Sequence, residues 1–204
     1  MLTGRYNFAL RRVKKLFTCR WLNSQSCWER CIHPPRTKPV TVDEPAIIVS
    51  ENDLPNFCVV APGIYRGGQP SERGFARLKQ LGIRSILNLR DERHHIRQEE
   101  ALLVKLGLQL HSVPLSPFVE PSAEDIQVCL NILKSTEHHP VFVHCLHGQD
   151  RTGTIISIYR LDAHGWNINR AYQEMLDLGF HSEFENLTRA VHLYSRLVRP
   201  PEPQ

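Results

Sequence analysis

Residues 141–153 have the sequence VFVHCLHGQDRTG, an apolar run that passes directly into a polar segment containing two glycines. The first three residues are all apolar, as is typical of a short strand buried in the middle of a parallel sheet. From Thr152 to His164 the pattern is helical, and Gly165 supplies the expected stop. The stretch therefore predicts a buried strand, a tight loop and a helix in direct succession.

Strand and helix patterns alternate along most of the chain outside this stretch. Apolar and β-forming residues predict strands over 56–65, 83–89 and 108–113. Helical spacing predicts helices after the candidate N-caps Ser71 and Ser122, and further helices over 99–106, 169–178 and 183–198. This alternation predicts an α/β fold, which we expect to have a central, mostly parallel sheet flanked by helices in three layers.

Charge divides the chain into two unequal parts. Residues 1–40 contain nine Lys or Arg and one acidic residue, for a charge of +8, whereas the remaining 164 residues contain 16 basic and 20 acidic residues, for −4. Residues 33–45 contain four prolines and so indicate a linker. We predict a basic arm with its linker over 1–45, one globular domain over 46–200 and a tail over 201–204. The mildly acidic body argues against nucleic acid as a partner.

Within the arm, residues 8–22 combine apolar residues at helical spacing with basic residues between them. The pattern fits a helix on an anionic membrane surface, a targeting segment or a loosely docked tail, and all three stay open. No run of 18 apolar residues exists, so we expect a cytoplasmic protein, with peripheral membrane contact through residues 1–40 as one option. Cys27, Cys31 and His33 lack an evident fourth ligand, and we therefore predict no metal site.

The loop between the predicted strand and helix combines a nucleophile with an anion site. Gly148 permits a backbone conformation that other residues resist, and successive loop amides, together with the helix N-terminus, can hold a dianionic phosphoryl group. Arg151 adds a planar fork that matches two phosphoryl oxygens. The same positive groups would favour the nucleophilic thiolate of Cys145 over its thiol.

Two segments of the sequence resemble the cysteine-dependent protein tyrosine phosphatase superfamily. The first is Cys145 followed after five residues by Arg151, with His144 before the cysteine and Thr152-Gly153 after the arginine. The second is YRGGQP at residues 65–70 and, after a helix, residues 82–90, which resemble the opening of compact atypical dual-specificity phosphatases of bacteria, plants and fungi. The resemblance implies a phosphatase-like three-layer domain.

The resemblance also implies a two-step reaction without a metal or other cofactor. Cys145 would attack phosphorus to form a cysteinyl-phosphate, which water then hydrolyses. Arg151 would bind the phosphoryl group, Thr152 would stabilise the departing thiolate through its hydroxyl, and His144 would orient the loop from behind. The remaining loop residues would complete the substrate-binding site, namely Leu146, His147, Gly148 and Gln149, with His147 at the pocket entrance.

The general acid that protonates the leaving oxygen has two candidates in the sequence. Asp150 lies inside the loop and resembles the in-loop aspartate of myotubularins and of some bacterial lipid-and-tyrosine phosphatases. Glu120 lies on the separate loop from which many family members take this residue. Asp150 is the favoured candidate, although it could instead brace the loop through a salt bridge to Arg66 or Arg90. Glu120 could simply be a solvated loop residue, and neither residue need be the acid.

The function we expect is hydrolysis of phosphomonoesters of the protein tyrosine or dual-specificity type, with a phosphorylated protein as the substrate. The nearest alternative is a phosphoinositide or inositol-phosphate phosphatase, which Asp150 and the basic arm would both suit. A non-catalytic phosphate-binding module and a sulfurtransferase of the rhodanese kind are alternatives of other classes. The presence of both Cys145 and Arg151 argues against the module, and their spacing suits phosphoryl transfer better than sulfur transfer.

Overall fold

A five-stranded sheet forms the centre of the computed structural model, which describes residues 51–198. The strands follow the order β1-β2-β5-β3-β4 across the sheet. Only the β1–β2 pair is antiparallel among these strands, and the other three pairs are parallel. The strands are β1 Cys58–Ala61, β2 Ile64–Gly67, β3 Ser85–Asn88, β4 Gln109–Ser112 and β5 Val141–His144. The prediction of an α/β fold around a mostly parallel sheet is confirmed.

Helices cover both faces of this sheet. They are α1 Glu72–Gln80, α2 Arg93–Leu106, α3 Ala123–Lys134, α4 Asp150–His164, α5 Ile168–Asp177 and α6 Glu185–Leu197, with a single 3₁₀ turn at Thr136–His138. Val141 and Val143 of β5 pack with apolar residues of α3 to α6. Phe142, which points the other way, packs with apolar residues of α1 and α2. Alternate side chains of one buried strand therefore belong to two separate cores, and the predicted three-layer arrangement is confirmed.

Local capping signals define the starts of two helices. The Ser71 side chain accepts a hydrogen bond from the Gly74 N–H at 3.1 Å, and the Ser122 side chain accepts one from the Asp125 N–H at 3.0 Å. Both serines are therefore the N-caps that the sequence indicates, because a hydroxyl there pairs a backbone N–H that the helix leaves free.

Two other helices begin earlier than the sequence pattern predicts. α2 starts six residues before the predicted Glu99, and its N-cap residue makes no side-chain capping hydrogen bond. α4 starts at Asp150, two residues before the predicted Thr152, and its N-cap residue likewise makes no such bond. Without a capping side chain, neither start has a clear signal in the sequence. The difference matters for α4, since it brings Asp150 and Arg151 into the first turn.

The register of the parallel strands decides where the conspicuous loop lies. His144 at the end of β5 stands opposite Gly67 at the end of β2 and Asn88 at the end of β3. Residues that follow all three strands therefore meet at one edge of the sheet, where ligands commonly bind in open α/β folds. Within residues 51–198, no helix is both long and apolar enough to cross a bilayer.

Candidate active site

Cys145 begins the loop between β5 and α4 and is almost completely buried, with 2% of its surface exposed. The backbone of Gly148, three residues later, has a φ of +75°, in the left-handed region that favours glycine. The Gly148 N–H points at the Cys145 Sγ from 3.3 Å. The loop thus directs a backbone donor at the sulfur, as a site that stabilises a thiolate requires.

Three successive carbonyls of this loop accept hydrogen bonds from residues before β1, within β2 and after β2. The Gln69 N–H donates to the Leu146 carbonyl at 2.9 Å, Asn56 donates to the His147 carbonyl at 2.9 Å, and Arg66 donates to the Gly148 carbonyl at 2.6 Å. A planar trans peptide directs its N–H away from its C=O. The N–H groups that follow these carbonyls therefore face the opposite side of the loop, and the one on Gly148 contacts the Cys145 Sγ. We call these N–H groups the amide nest.

Gly148 also allows the loop to pack directly on the end of β2. A Cβ atom added at Gly148 would lie 2.2 Å from the carbonyl carbon of Gly67 and 2.4 Å from the backbone nitrogen of Gly68. Neither backbone can retreat cheaply, because both belong to the hydrogen-bonded contact between β2 and the loop. The YRGGQP segment thus supports the loop that begins at Cys145.

Arg151 lies in the first turn of α4 and is paired with an acidic residue that the sequence reasoning missed. Its Nη1 donates to Asp91 Oδ1 at 2.7 Å and to the Leu115 carbonyl at 3.2 Å, while Glu92 Oε2 lies 4.0 Å away. Asp91 and Glu92 follow β3, so the convergence of strand ends brings them here. The sequence signal for them was their position shortly after the strand predicted over 83–89.

Asp150 is bonded to a histidine and not to either of the arginines considered as partners. Its Oδ1 accepts the His181 backbone N–H at 2.9 Å and contacts the His181 Nδ1 at 3.0 Å. Arg66 is occupied by the loop carbonyl, and Arg90 donates to Gln69 and Glu92. The structure therefore shows neither of the salt bridges, to Arg66 or to Arg90, that were the alternative to the acid role, and no local sequence signal points to His181.

A cavity of about 390 Å³ brings most of the predicted site residues together. Cys145, Asp150 and Arg151 line it, and so do Leu146 and His147. Three other predicted residues are not part of the lining, namely Gly148, Gln149 and Thr152. The Thr152 hydroxyl is buried and has no hydrogen-bond partner within residues 51–198. Glu120, the second candidate acid, does not line the cavity either.

The walls of the cavity are partly acidic and partly aromatic. Asp91 and Glu92 stand beside Arg151, and the rings of Phe118 and Phe184 lie 6.0 Å apart in an edge-to-face arrangement. A hydrogen bond from Arg90 lowers the pKa of Glu92 to about 2, so Glu92 is ionised at neutral pH. Among residues 51–198, no group of three or more His, Cys, Asp or Glu side chains is arranged to hold a metal ion.

Three known proteins are similar to this chain in sequence or in structure. A probable tyrosine-protein phosphatase of Dictyostelium discoideum is 29% identical over 58% of this chain and 73% of its own length. The inositol diphosphatase DSP3 of Arabidopsis thaliana is 31% identical over 58% of this chain and 60% of its own length. The catalytic core of the PP-IP phosphatase SIW14 of S. cerevisiae superposes with a TM-score of 0.61 and 25% identity, covering 68% of this chain and 85% of that one.

The model of the tyrosine phosphatase family matches residues 53–190, which are more than half of the chain. The match includes the β2 segment and the loop from Cys145 to Arg151, the two segments on which the resemblance was based. The predicted relationship to cysteine-dependent phosphatases is confirmed. The chain therefore belongs to the tyrosine phosphatase family.

Proposed function

We propose that the protein hydrolyses phosphomonoesters through a phosphocysteine intermediate on Cys145. The observation that carries this proposal is the Gly148 N–H, which lies 3.3 Å from the Sγ of Cys145, a residue that lines the same cavity as Arg151. An amide nest and a guanidinium around one sulfur suit a nucleophile that must attack a dianion. This arrangement also supports catalysis over a phosphate-binding module, which needs no buried thiol.

The proposed reaction has two displacements at phosphorus. The Cys145 thiolate forms an S–P bond while the bond from phosphorus to the substrate oxygen breaks, and Asp150 gives that oxygen its proton. Water then attacks the cysteinyl-phosphate, Asp150 takes the proton, and the thiolate leaves with the S–P electrons. Arg151 would follow the equatorial oxygens through both transition states, for which it must exchange part of its contact with Asp91 for the phosphoryl group. The buried Thr152 hydroxyl, unpaired within residues 51–198, is proposed to donate to the departing thiolate.

Asp150 is the better supported general acid of the two candidates. It lines the cavity together with Cys145, and only 11% of its side chain is exposed. The two contacts from His181 hold its carboxylate in one orientation. Glu120 is half-buried and does not line the cavity, so its carboxylate would have to move to reach a leaving group.

The acid assignment predicts a dependence on the leaving group. Asp150→Asn should lower turnover of an alkyl phosphate by about 10² to 10⁴-fold, because its poor leaving group needs the proton. It should affect p-nitrophenyl phosphate far less, since nitrophenolate leaves unprotonated. Asparagine keeps the oxygen that accepts from His181, so the loop should be preserved. Steady-state kinetics on both substrates measure the difference, with Glu120→Gln as the control. Equal losses on both substrates would assign Asp150 a structural role.

We further propose that aryl phosphates such as phosphotyrosine are preferred over polyphosphorylated inositols. Phe118 is 74% exposed at the cavity, where its ring and that of Phe184 offer an apolar surface to an aromatic leaving group. The carboxylates of Asp91 and Glu92 would repel additional phosphate groups around the reacting one. Arg151 is the single Lys or Arg side chain that lines this cavity within the described residues.

The substrate preference can be tested by neutralising the acidic wall. We compare kcat/KM for an inositol pyrophosphate with kcat/KM for a phosphotyrosine peptide. In the double variant Asp91→Asn and Glu92→Gln, the ratio of the first to the second should rise by roughly tenfold. This corresponds to a loss of ~1.4 kcal/mol of repulsion between the carboxylates and the additional phosphate groups. The ratio is the readout, because both residues also influence Arg151. Glu100→Gln is the matched control, since Glu100 is exposed on α2 and lies outside the cavity lining. An unchanged ratio, or a wild-type preference for the inositol substrate, would contradict the proposal.

The predicted role of the basic arm is independent of the proposed catalysis. Residues 1–45 lie outside the described residues, so their predicted contact with an anionic membrane surface rests on charge alone and stays a prediction. The same holds for the domain boundaries at residues 45 and 200 and for a cytoplasmic location.

A further inference from the structure

A tight turn follows α5 and is fixed by the end of that helix. Gly179, two residues after α5, has a φ of +86°. Its N–H donates to the Leu176 carbonyl at 2.9 Å, and the N–H of Phe180 donates to the Met175 carbonyl at 3.1 Å. These two bonds form the Schellman motif that commonly closes a helix. They determine the direction in which the chain leaves α5, and so the position of the next residue, His181.

Two side chains hold this turn against the rest of the domain. Phe180 is buried in the same core as Met175, with 6% of its surface exposed. The Gln149 side chain, from the residue before α4, packs on the turn so closely that a Cβ added at Gly179 would lie 2.6 Å from its Nε2. This contact explains why Gln149 does not line the cavity. The turn is thus held both by the core and by the loop that precedes α4.

His181 directs two donors at a single oxygen of Asp150. Its backbone N–H donates to Asp150 Oδ1 at 2.9 Å, and its ring Nδ1 lies 3.0 Å from the same oxygen. A carboxylate oxygen accepts, so the ring nitrogen that faces it carries a hydrogen. The other oxygen, Oδ2, makes no hydrogen bond within residues 51–198. Asp150 therefore has one oxygen that is held and one that is available.

We propose that His181 is a positioning residue for the general acid, which fixes Oδ1 of Asp150 so that Oδ2 is the oxygen that exchanges protons with the substrate. The leaving oxygen takes the Oδ2 proton as its bond to phosphorus breaks, and Oδ2 takes a proton from the attacking water in the second step. The other oxygen of a protonated carboxyl still accepts, so both donors of His181 stay paired in either state. The inference rests on the proposed role of Asp150 and deepens it.

The surroundings of His181 indicate that it acts through Asp150 and not on the substrate. Its side chain is 49% exposed and does not line the cavity, whereas that of Asp150 is 11% exposed and does. The ring meets Phe184 edge-on, with centroids 6.3 Å apart. His181 makes no hydrogen bond to Cys145 or Arg151. Substitution of its side chain should therefore leave phosphoryl binding unchanged and affect the proton transfer.

The test compares two substitutions at His181 in the full chain, with steady-state kinetics on an alkyl phosphate and on p-nitrophenyl phosphate. Phenylalanine keeps a ring against Phe184 but has no donor, whereas asparagine keeps an N–H donor close to the position of Nδ1. His181→Phe should lower kcat on the alkyl phosphate by about tenfold, the scale of one hydrogen bond to a charged group. Its kcat on p-nitrophenyl phosphate and both KM values should stay within about twofold of wild type, because nitrophenolate leaves unprotonated. His181→Asn should recover most of the loss.

A double-mutant cycle separates positioning from bracing of the turn. In an Asp150→Asn background, His181→Phe should cause no further loss on the alkyl phosphate, because the acid through which it acts is already absent. His192→Phe, the same change at an exposed histidine of α6, is the matched control and should change neither rate. Equal losses on the two substrates, an additive loss in the cycle, or no recovery in a folded His181→Asn would overturn the proposal.

A measurement without turnover keeps the proposal testable if a variant folds poorly. In wild-type protein with ¹⁵N-labelled histidine at about pH 9, where an ordinary imidazole is neutral, the His181 ring should carry its hydrogen on Nδ1, the nitrogen that faces Asp150. The His181→Asn spectrum assigns the signals. A hydrogen on Nε2 would overturn the proposal. This readout does not involve the nucleophile, so failure of the proposed function would appear separately as full activity of Cys145→Ser.

Discussion

Replacing Cys145 with serine is expected to lower kcat on aryl phosphates by at least about 10⁴-fold, the scale of losing an enzyme's nucleophile. A serine hydroxyl at this position stays protonated near neutral pH, so it is a much weaker nucleophile than a thiolate. The amide nest and Arg151 would still bind a phosphoryl group. The variant should therefore keep its affinity for phosphate-like inhibitors while losing turnover.

Steady-state kinetics on p-nitrophenyl phosphate measure this loss, and rapid acid quenching of the wild type should trap a phosphorylated peptide containing Cys145. Cys129→Ala is the control. Cys129 is buried in the core, and burial raises the pKa of its thiol to about 12, so it is not a thiolate at neutral pH. Its removal should leave kcat close to wild type. Substantial turnover by Cys145→Ser would exclude a covalent intermediate on this residue.

Replacing Gly148 with alanine should have the second-largest effect, because it affects both the loop and its support. The residue has a φ of +75°, and an added Cβ would lie 2.2 Å from the Gly67 backbone. The loop must move away from β2, which breaks the contact that orients its amides. We expect kcat/KM to fall by at least about 100-fold, as on loss of an oxyanion donor. The free energy of unfolding should fall by about 3 kcal/mol or more.

Gly82→Ala separates backbone strain from steric overlap. Gly82 has a similar φ of +85°, but an added Cβ there would meet no atom within 4 Å. Gly82→Ala should lower the free energy of unfolding by only about 1 to 2 kcal/mol, because alanine is disfavoured in the left-handed conformation. It should retain full activity. Urea denaturation and p-nitrophenyl phosphate kinetics on both variants make the comparison. If Gly148→Ala behaved like Gly82→Ala, the close packing on Gly67 would be irrelevant to the site.

Features that depend on neighbouring residues were predictable from the sequence. The VFV run of β5 and the caps at Ser71 and Ser122 are local signals, because a strand's burial and a helix's first turn depend on residues close in the chain. The starts of α2 and α4 were predicted too late, since the residues before them provide no capping side chain. The late start predicted for α4 affects the site, because the first turn of that helix contains Asp150 and Arg151.

The sequence by itself determined the family, the loop and the candidate nucleophile, because Cys145, Gly148 and Arg151 lie within seven residues and their spacing is a local property. Only the tertiary structure decided what surrounds them. His181 is 31 positions from Asp150, Glu99 is 45 from His144, and Asp91 is 60 from Arg151. The chain has 25 Lys or Arg and 21 Asp or Glu residues, so composition alone allows many different ion pairs. The register of the parallel strands selects among them, since it determines which loops meet at one edge of the sheet.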